Sequence, residues 1–163
     1  MKLYHGTYLD IGRIDLKLSM KGKDFGQGFY LSDNIEQAKA FAKLRSLGKT
    51  AVPVVNVYEC TDFASMGNDI KIKTFDEYSE EWAEFVLLNR KNRNDTPLHD
   101  FDIVYGPIAD DKIGQQIRKF MDGEITMETF IERLKYIKGI TYQYYFGTDQ
   151  AISCLTKLPS IYE

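Results

Sequence analysis

The run DFGQGFYLSD, residues 24–33, decides the fold of this chain. Two glycines make a tight turn, and Phe29–Ser32 then has the short apolar pattern of a β-strand. After Asp33 the apolar residues recur at helical spacing. We predict a helix that Asp33 and Glu36 cap as a capping box and that ends at Gly48.

Other elements follow from the same patterns. An N-terminal strand at Met1–His5 ends in His-Gly. Further strands are predicted at 52–58, 70–73, 101–105 and 141–146. Amphipathic helices are predicted at 75–88, after Asp110, after Gly123, and from the N-cap Thr148 through Leu155. Because helices and strands do not alternate regularly, the order favours an α+β fold over a doubly wound sheet.

Composition limits the class of protein. The 163 residues suit one domain, 1–163, and 44% hydrophobic with 13% aromatic residues supply a core. A net charge of -3 gives no basic surface for general nucleic-acid binding. No stretch resembles a signal peptide or a membrane-spanning helix, so we expect a cytoplasmic protein without a membrane partner.

Several short motifs are too incomplete to carry chemistry. Asp24-Phe25-Gly26 matches a kinase triplet, but the kinase catalytic loop is missing, and Gly48-Lys49-Thr50 lacks the first glycine of a P-loop. With only His5 and His99, a multi-histidine metal site cannot be built, and we expect no metal. Cys60 and Cys154 lack a CxxC spacing and are expected to be buried free thiols.

The remaining motifs resemble the ADP-ribosyltransferase superfamily, in its diphtheria-toxin-like and poly(ADP-ribose)-polymerase-like branch. The matching residues are the His5-Gly6 pair and the run from Gly26 to Asp33. The resemblance implies a split β-sandwich with flanking helices and with NAD in its central cleft. It also implies that His5 binds the adenosine ribose, that the Gly6 backbone grips the nicotinamide carboxamide, and that Tyr30 stacks on the nicotinamide. The absence of a Cβ at Gly6 is expected to let the ligand approach closely.

Other positions complete or depart from this pattern. Phe41 stands where the branch has a second stacking aromatic, although the helical stripe also allows it to be a core residue. Thr7 and Gly28 complete the expected NAD-binding residues. Ala38 replaces a common serine, and the late strand has Gln143 where the superfamily has a catalytic glutamate. The expected catalytic residues are therefore His5, Tyr30 and Gln143.

Over nearly its whole length the chain also resembles a little-characterised bacterial family of unknown function, often found in operons of toxin-antitoxin character. The implied function is NAD-dependent mono-ADP-ribosyl transfer to a protein, DNA or RNA, with an antitoxin as a partner. NAD hydrolysis, a silent NAD or ADP-ribose binder, and an interaction module are the open alternatives. Glu81 and Arg90 could line the acceptor side, although exposed solvated residues are the commoner case.

Overall fold

The computed structural model describes residues 1–137 and 139–163. The strands are β1 (Lys2–Thr7), β2 (Phe29–Leu31), β3 (Val54–Cys60), β4 (Ile72–Thr74), β5 (Ile103–Pro107), β6 (Tyr142–Phe146) and β7 (Leu155–Tyr162). The α-helices are α1 (Ile35–Ser46), α2 (Glu80–Lys91), α3 (Asp111–Met121), α4 (Met127–Leu134) and α5 (Asp149–Ile152). Two short 3-10 helices cover Leu16–Leu18 and Phe63–Ser65. The predicted α+β class is confirmed.

The strands form two sheets, and among the described residues one isolated bridge joins their backbones. The first sheet has the order β1-β3-β7 and is antiparallel, and the second has the order β2-β6-β5-β4 with only β4 and β5 parallel. Between the sheets, Tyr4 and Ser32 exchange backbone hydrogen bonds of 2.8 and 2.9 Å. Beyond this bridge β1 and β2 separate, and we call the gap between them the split.

Three apolar clusters hold these layers together. One joins the facing sides of the two sheets through Leu3, Phe29, Leu31, Tyr58, Ile103, Tyr144 and Phe146. A second packs α2, α3 and α4 on the other face of the second sheet through Trp82, Val86, Val104, Ile113, Ile117, Phe130 and Tyr145. A third places Ala38 and Ala42 of α1 against Val55. Each sheet therefore has helical cover on its outer face.

The structure corrects several element boundaries. Asn34, rather than Asp33, caps α1, because its side chain accepts hydrogen bonds from the N–H groups of Glu36 and Gln37. Helix α2 begins after the Ser79 cap, whereas the apolar pattern had extended it back to Phe75. Phe75 nevertheless belongs to the same cluster as Trp82, so the side-chain pattern continues although the helix does not.

The largest correction lies at the C-terminus. Thr148 caps α5 as predicted, but the helix ends at Ile152 and β7 follows at once. This strand pairs with β3 at the edge of the first sheet, and its pairing shifts register between Val55 and Val57, opposite Pro159. A proline is tolerated at such an edge position, although it hid the strand in the sequence.

Two further observations concern exposure. Both cysteines are free; Cys60 is buried as expected, whereas Cys154 is only half-buried. Among residues 1–137 and 139–163, no helix combines the length and the apolar character needed to cross a membrane.

Candidate functional site

His5 lies where the two sheets separate. Its Nδ1 is 2.8 Å from the backbone carbonyl oxygen of Tyr30, and its ring stacks on Phe29 with the ring centroids 4.6 Å apart. A carbonyl oxygen can only accept, so Nδ1 carries the proton and Nε2 of the neutral ring remains an acceptor. Burial lowers the pKa of His5 below its usual 6.5, and the positive charges of Arg45 and Lys157 lower it further. The neutral ring is therefore the favoured form.

The backbone of Gly6 points into the split. In an antiparallel strand the backbone groups of alternate residues face opposite edges. Tyr4 uses its N–H and C=O on Ser32, the residue after β2, while Met1 accepts from the N–H of Cys60 at the end of β3. Gly6, two residues after Tyr4, therefore directs its N–H and C=O towards β2, where the strands have parted. Among the described residues, neither group has a hydrogen-bond partner.

The missing side chain of Gly6 has a different role from the one expected. A Cβ there would lie 1.9 Å from the carbonyl oxygen of Ala38 and 2.8 Å from the amide nitrogen of Ala42. Both are backbone atoms of α1, so the space is filled by the helix rather than left open for a ligand. Glycine is required here because α1 packs directly on β1. Gly6 is buried, and it is its backbone edge, not the face without a Cβ, that lacks a hydrogen-bond partner among the described residues.

Tyr30 is fixed by its hydroxyl group. The Tyr30 hydroxyl donates to the carbonyl oxygen of Gly26 at 2.7 Å and accepts from the N–H of Phe25 at 3.0 Å. Burial raises the pKa of Tyr30 well above 10, so the hydroxyl stays protonated. The ring packs edge-on against Tyr145, with centroids 5.4 Å apart. Tyr30 thus holds the turn that precedes its own strand.

Gln143 belongs to a polar network that the sequence did not reveal. Its Nε2 donates to Oδ2 of Asp24 at 3.0 Å. The same oxygen accepts the N–H of Ala109 at 3.2 Å, and Arg90 donates from Nε to Oδ1 at 2.7 Å. Asp24 is only 8% exposed. The partners of Asp24 lie 66, 85 and 119 residues away, which periodicity cannot detect.

The network changes the interpretation of Arg90 but not that of Glu81. Arg90 is not a solvated residue but the ion-pair partner of Asp24, with side chains 25% and 11% exposed. Glu81 is exposed and pairs with Lys73 on the surface, as expected of a solvated residue. Arg90, which was a candidate for the acceptor side, instead stabilises the buried carboxylate of Asp24.

The rest of the turn is held just as closely. His99 Nε2 donates to the carbonyl oxygen of Phe25 at 2.8 Å, and the Tyr145 hydroxyl donates to that of Gln27 at 3.3 Å. A Cβ on Gly28 would lie 2.2 Å from Cε2 of Tyr145, so this glycine admits the aromatic ring. The turn is a fixed element, and Gly28 faces protein rather than open space.

The remaining predicted NAD-binding residues are Thr7 and Phe41, which lie on β1 and α1. Thr7 is buried at the end of β1. Phe41 lies on α1 between Ala38 and Ala42, is 48% exposed, and has the Arg45 guanidinium 5.7 Å from its ring centroid. The alternative that Phe41 is a core residue is therefore wrong, and its stacking on nicotinamide stays a prediction. In the described part of the chain, no aromatic contact joins it to Tyr30.

Two cavities adjoin the turn on the side of His99. One has a volume of about 200 Å³ and is lined by Gly26, Gln27, Asn89 and the loop after α2. The other, of about 610 Å³, is more open and is lined by residues 97–101 with Tyr145, Gly147 and Thr148. Neither is lined by His5, Gly6 or Tyr30, so they are separate from the split.

The structure therefore brings His5, Gly6 and Tyr30 together at the split. It connects Gln143 to them through Asp24-Phe25, since Gln143 binds the first residue of this pair and Tyr30 binds the second. No curated protein and no solved structure matches the chain. A family model described as a protein of unknown function (DUF3990) matches residues 1–157, and the chain belongs to that family.

Proposed function

We propose that this protein is an NAD-dependent mono-ADP-ribosyltransferase that binds NAD at the split between β1 and β2. The observation that carries the proposal is that, among the described residues, the N–H and C=O of Gly6 at this edge have no hydrogen-bond partner. One donor and one acceptor on the same residue complement a carboxamide, which offers a carbonyl oxygen and an amide N–H. Nicotinamide presents such a group on a planar ring.

The surroundings of Gly6 support the same ligand. Two sheets joined by one bridge, with His5 and Tyr30 on the strands that part there, agree with the split β-sandwich that the sequence motifs imply. His5 keeps Nε2 as an acceptor for a ribose hydroxyl because Nδ1 is engaged with Tyr30. The resemblance makes Phe41 on α1 the second stacking aromatic, and its side chain is 48% exposed.

The reaction breaks the bond between ribose C1′ and the nicotinamide ring nitrogen. The bonding electron pair leaves with nicotinamide, and positive charge develops on the ribose. A lone pair of the acceptor then forms the new bond to C1′, and the acceptor releases its proton to solvent. The Gly6 N–H, directed at the carboxamide oxygen, favours departure of the ring by withdrawing electron density.

Having Gln143 rather than a glutamate limits the site to chemistry without proton abstraction. Its amide holds a ribose hydroxyl but does not act as a base near neutral pH. Catalysis therefore depends on holding NAD in a reactive geometry rather than on proton abstraction. Without a catalytic carboxylate to activate a hydroxyl of ADP-ribose itself, one unit is transferred and no polymer forms.

The test is incubation of the purified protein with adenine-labelled NAD and cell lysate. Label in the protein, DNA and RNA fractions is measured together with free nicotinamide. We expect incorporation by the wild-type protein, its loss in Tyr30→Ala, and its retention in Tyr162→Ala, a control that removes an exposed tyrosine of β7. Melting temperatures of the three proteins separate loss of activity from loss of fold.

Two results would contradict the transferase. Nicotinamide release without incorporated label would indicate NAD hydrolysis. Binding of NAD without either product, detected as a rise in melting temperature, would indicate a silent binding module.

A further inference from the structure

The hydrogen bonds of Asp24 determine which way the Gln143 amide faces. Oδ1 of Asp24 accepts from Arg90, and Oδ2 accepts from the Ala109 N–H and from Gln143. A carboxylate only accepts, so the Gln143 group that faces it must be the NH2 end. The orientation of this amide follows from its partner, as such assignments should. Oε1 of Gln143 is the end that remains.

Gln143 and Tyr30 present their side chains on the same face of the second sheet. Tyr30 is paired with Tyr145, and Gln143 lies two residues before Tyr145 on β6. Side chains two residues apart on a strand share a face. The Tyr30 hydroxyl also accepts the N–H of Phe25, the residue after Asp24. Two of the three predicted catalytic residues, Tyr30 and Gln143, therefore hydrogen-bond to the dipeptide Asp24-Phe25.

We propose that Asp24, held by Arg90, is the positioning residue that makes Gln143 a pure hydrogen-bond acceptor towards the nicotinamide-ribose hydroxyl. This inference rests on the proposed function. It explains how a glutamine serves where the superfamily has a glutamate, because both present an oxygen to the hydroxyl. It also means that an ionised glutamate at position 143 is disfavoured while Asp24 is present. Two carboxylates at the Gln143–Asp24 distance of 3.0 Å would repel each other.

An exchange of the two side-chain types tests this arrangement. In Asp24→Asn, the new amide oxygen is drawn to the Arg90 guanidinium, so the NH2 group faces Gln143 and forces its amide to turn over. The Ala109 N–H, which also faces this NH2 group, loses its acceptor. The Gln143 oxygen then accepts a hydrogen bond from the new NH2 group at position 24, and the NH2 group of Gln143 faces the ligand. In the double variant Asp24→Asn with Gln143→Glu, the new amide at position 24 donates from its NH2 group to the introduced carboxylate. The second oxygen of that carboxylate again faces the ligand.

The experiment measures kcat and KM for nicotinamide release in the wild-type protein, both single variants and the double variant. We expect kcat to fall at least about tenfold in each single variant with KM changed less than about threefold. The double variant should recover at least about threefold in kcat over Asp24→Asn, with which it shares the unpaired Ala109 N–H, a coupling that independent sites do not show. Full activity of Gln143→Glu alone, or a double variant no better than the single variants, would overturn the proposal.

A second measurement does not depend on catalysis. In the NMR spectrum of the ligand-free protein, the side-chain NH2 signals of Gln143 are identified by their absence in Gln143→Glu. We expect them to exchange with water more slowly than those of Gln150, whose NH2 group is exposed and 3.3 Å from the Asp69 carbonyl oxygen. This protection should be lost in Asp24→Asn, and equal exchange in the wild-type protein would overturn the inferred orientation. If the protection is present but no variant releases nicotinamide, the orientation stands and the proposed function fails.

Discussion

The hydrogen bond between His5 and Tyr30 takes over where the backbone pairing of β1 and β2 ends. Tyr4 and Ser32 are joined by two backbone bonds, but at the next step the His5 ring, rather than a backbone N–H, reaches the Tyr30 carbonyl oxygen at 2.8 Å. The side chain thereby spaces the strands apart. It leaves the Gly6 backbone without a protein partner among the described residues, and this is the origin of the candidate site.

His5 should make stability depend on pH. Its pKa is lowered in the folded protein chiefly by burial, so below 6.5 the unfolded chain binds the additional proton more readily. This contribution to the free energy of unfolding is fully present above pH 6.5 and is lost as pH falls through the lower, folded-state pKa. We expect the wild-type protein to lose more stability between pH 7.5 and 5.5 than His5→Asn. Parallel pH profiles in denaturant titrations would contradict this account of His5.

Removing the Tyr30 hydroxyl should destabilise the turn although the ring remains. Tyr30→Phe leaves the Phe25 N–H and the Gly26 carbonyl without their partner, which costs about 1–3 kcal/mol of unfolding free energy. Tyr162→Phe is the control, because its hydroxyl binds Asp10 on an exposed tyrosine, and it should cost less than about 0.5 kcal/mol. Equal losses in urea denaturation would show that the turn does not depend on Tyr30.

Enlarging Gly6 should disrupt the contact of α1 with β1. Gly6→Ala places a methyl group 1.9 Å from backbone that cannot rotate away, so we expect a loss of about 3 kcal/mol or a protein that does not fold. Gly12→Ala meets no atom within 4 Å and should change stability little. Circular dichroism melting curves compare the two, and a well-folded Gly6→Ala would refute the close packing.

Arg90 should matter more than a surface cation. Arg90→Met leaves the carboxylate of Asp24 buried without its counter-ion, and removal of one partner from such a pair costs about 3–5 kcal/mol. Lys73→Met, which breaks the surface pair with Glu81, should cost below about 1 kcal/mol. Chemical denaturation of both variants gives the comparison, and similar values would place Arg90 among the surface residues.

The sequence predicted the elements around the split more fully than the contacts that support them. β1, β2, α1 and β6 were expected because their patterns are local, with apolar alternation in strands and helical spacing after Asp33. β7 was missed because Pro159 and Lys157 interrupt its pattern and because its pairing with β3 shifts at that point. Such a strand is defined by its partner rather than by its own residues.

In the candidate site, too, the residues of local motifs were predictable, whereas contacts between residues far apart in the sequence were not. His5, Gly6 and Tyr30 were selected from motifs, and the structure places them together. Asp24 belongs to the run that decides the fold and to a kinase-like triplet, but it was given no role, since nothing near it in sequence indicates a buried carboxylate. Its role depends on Arg90 and Gln143, which come from α2 and β6. Only the assembled fold brings these groups into contact.

The most direct test of the central claim is an NMR titration that follows the backbone amide of Gly6. Nicotinamide both accepts and donates through its carboxamide, whereas nicotinate, with the same ring, can only accept. We predict that nicotinamide shifts the Gly6 signal and that nicotinate at the same concentration shifts it much less. An unchanged Gly6 signal, with shifts confined to His99 and Gly147 in the two cavities, would contradict nicotinamide binding at the split.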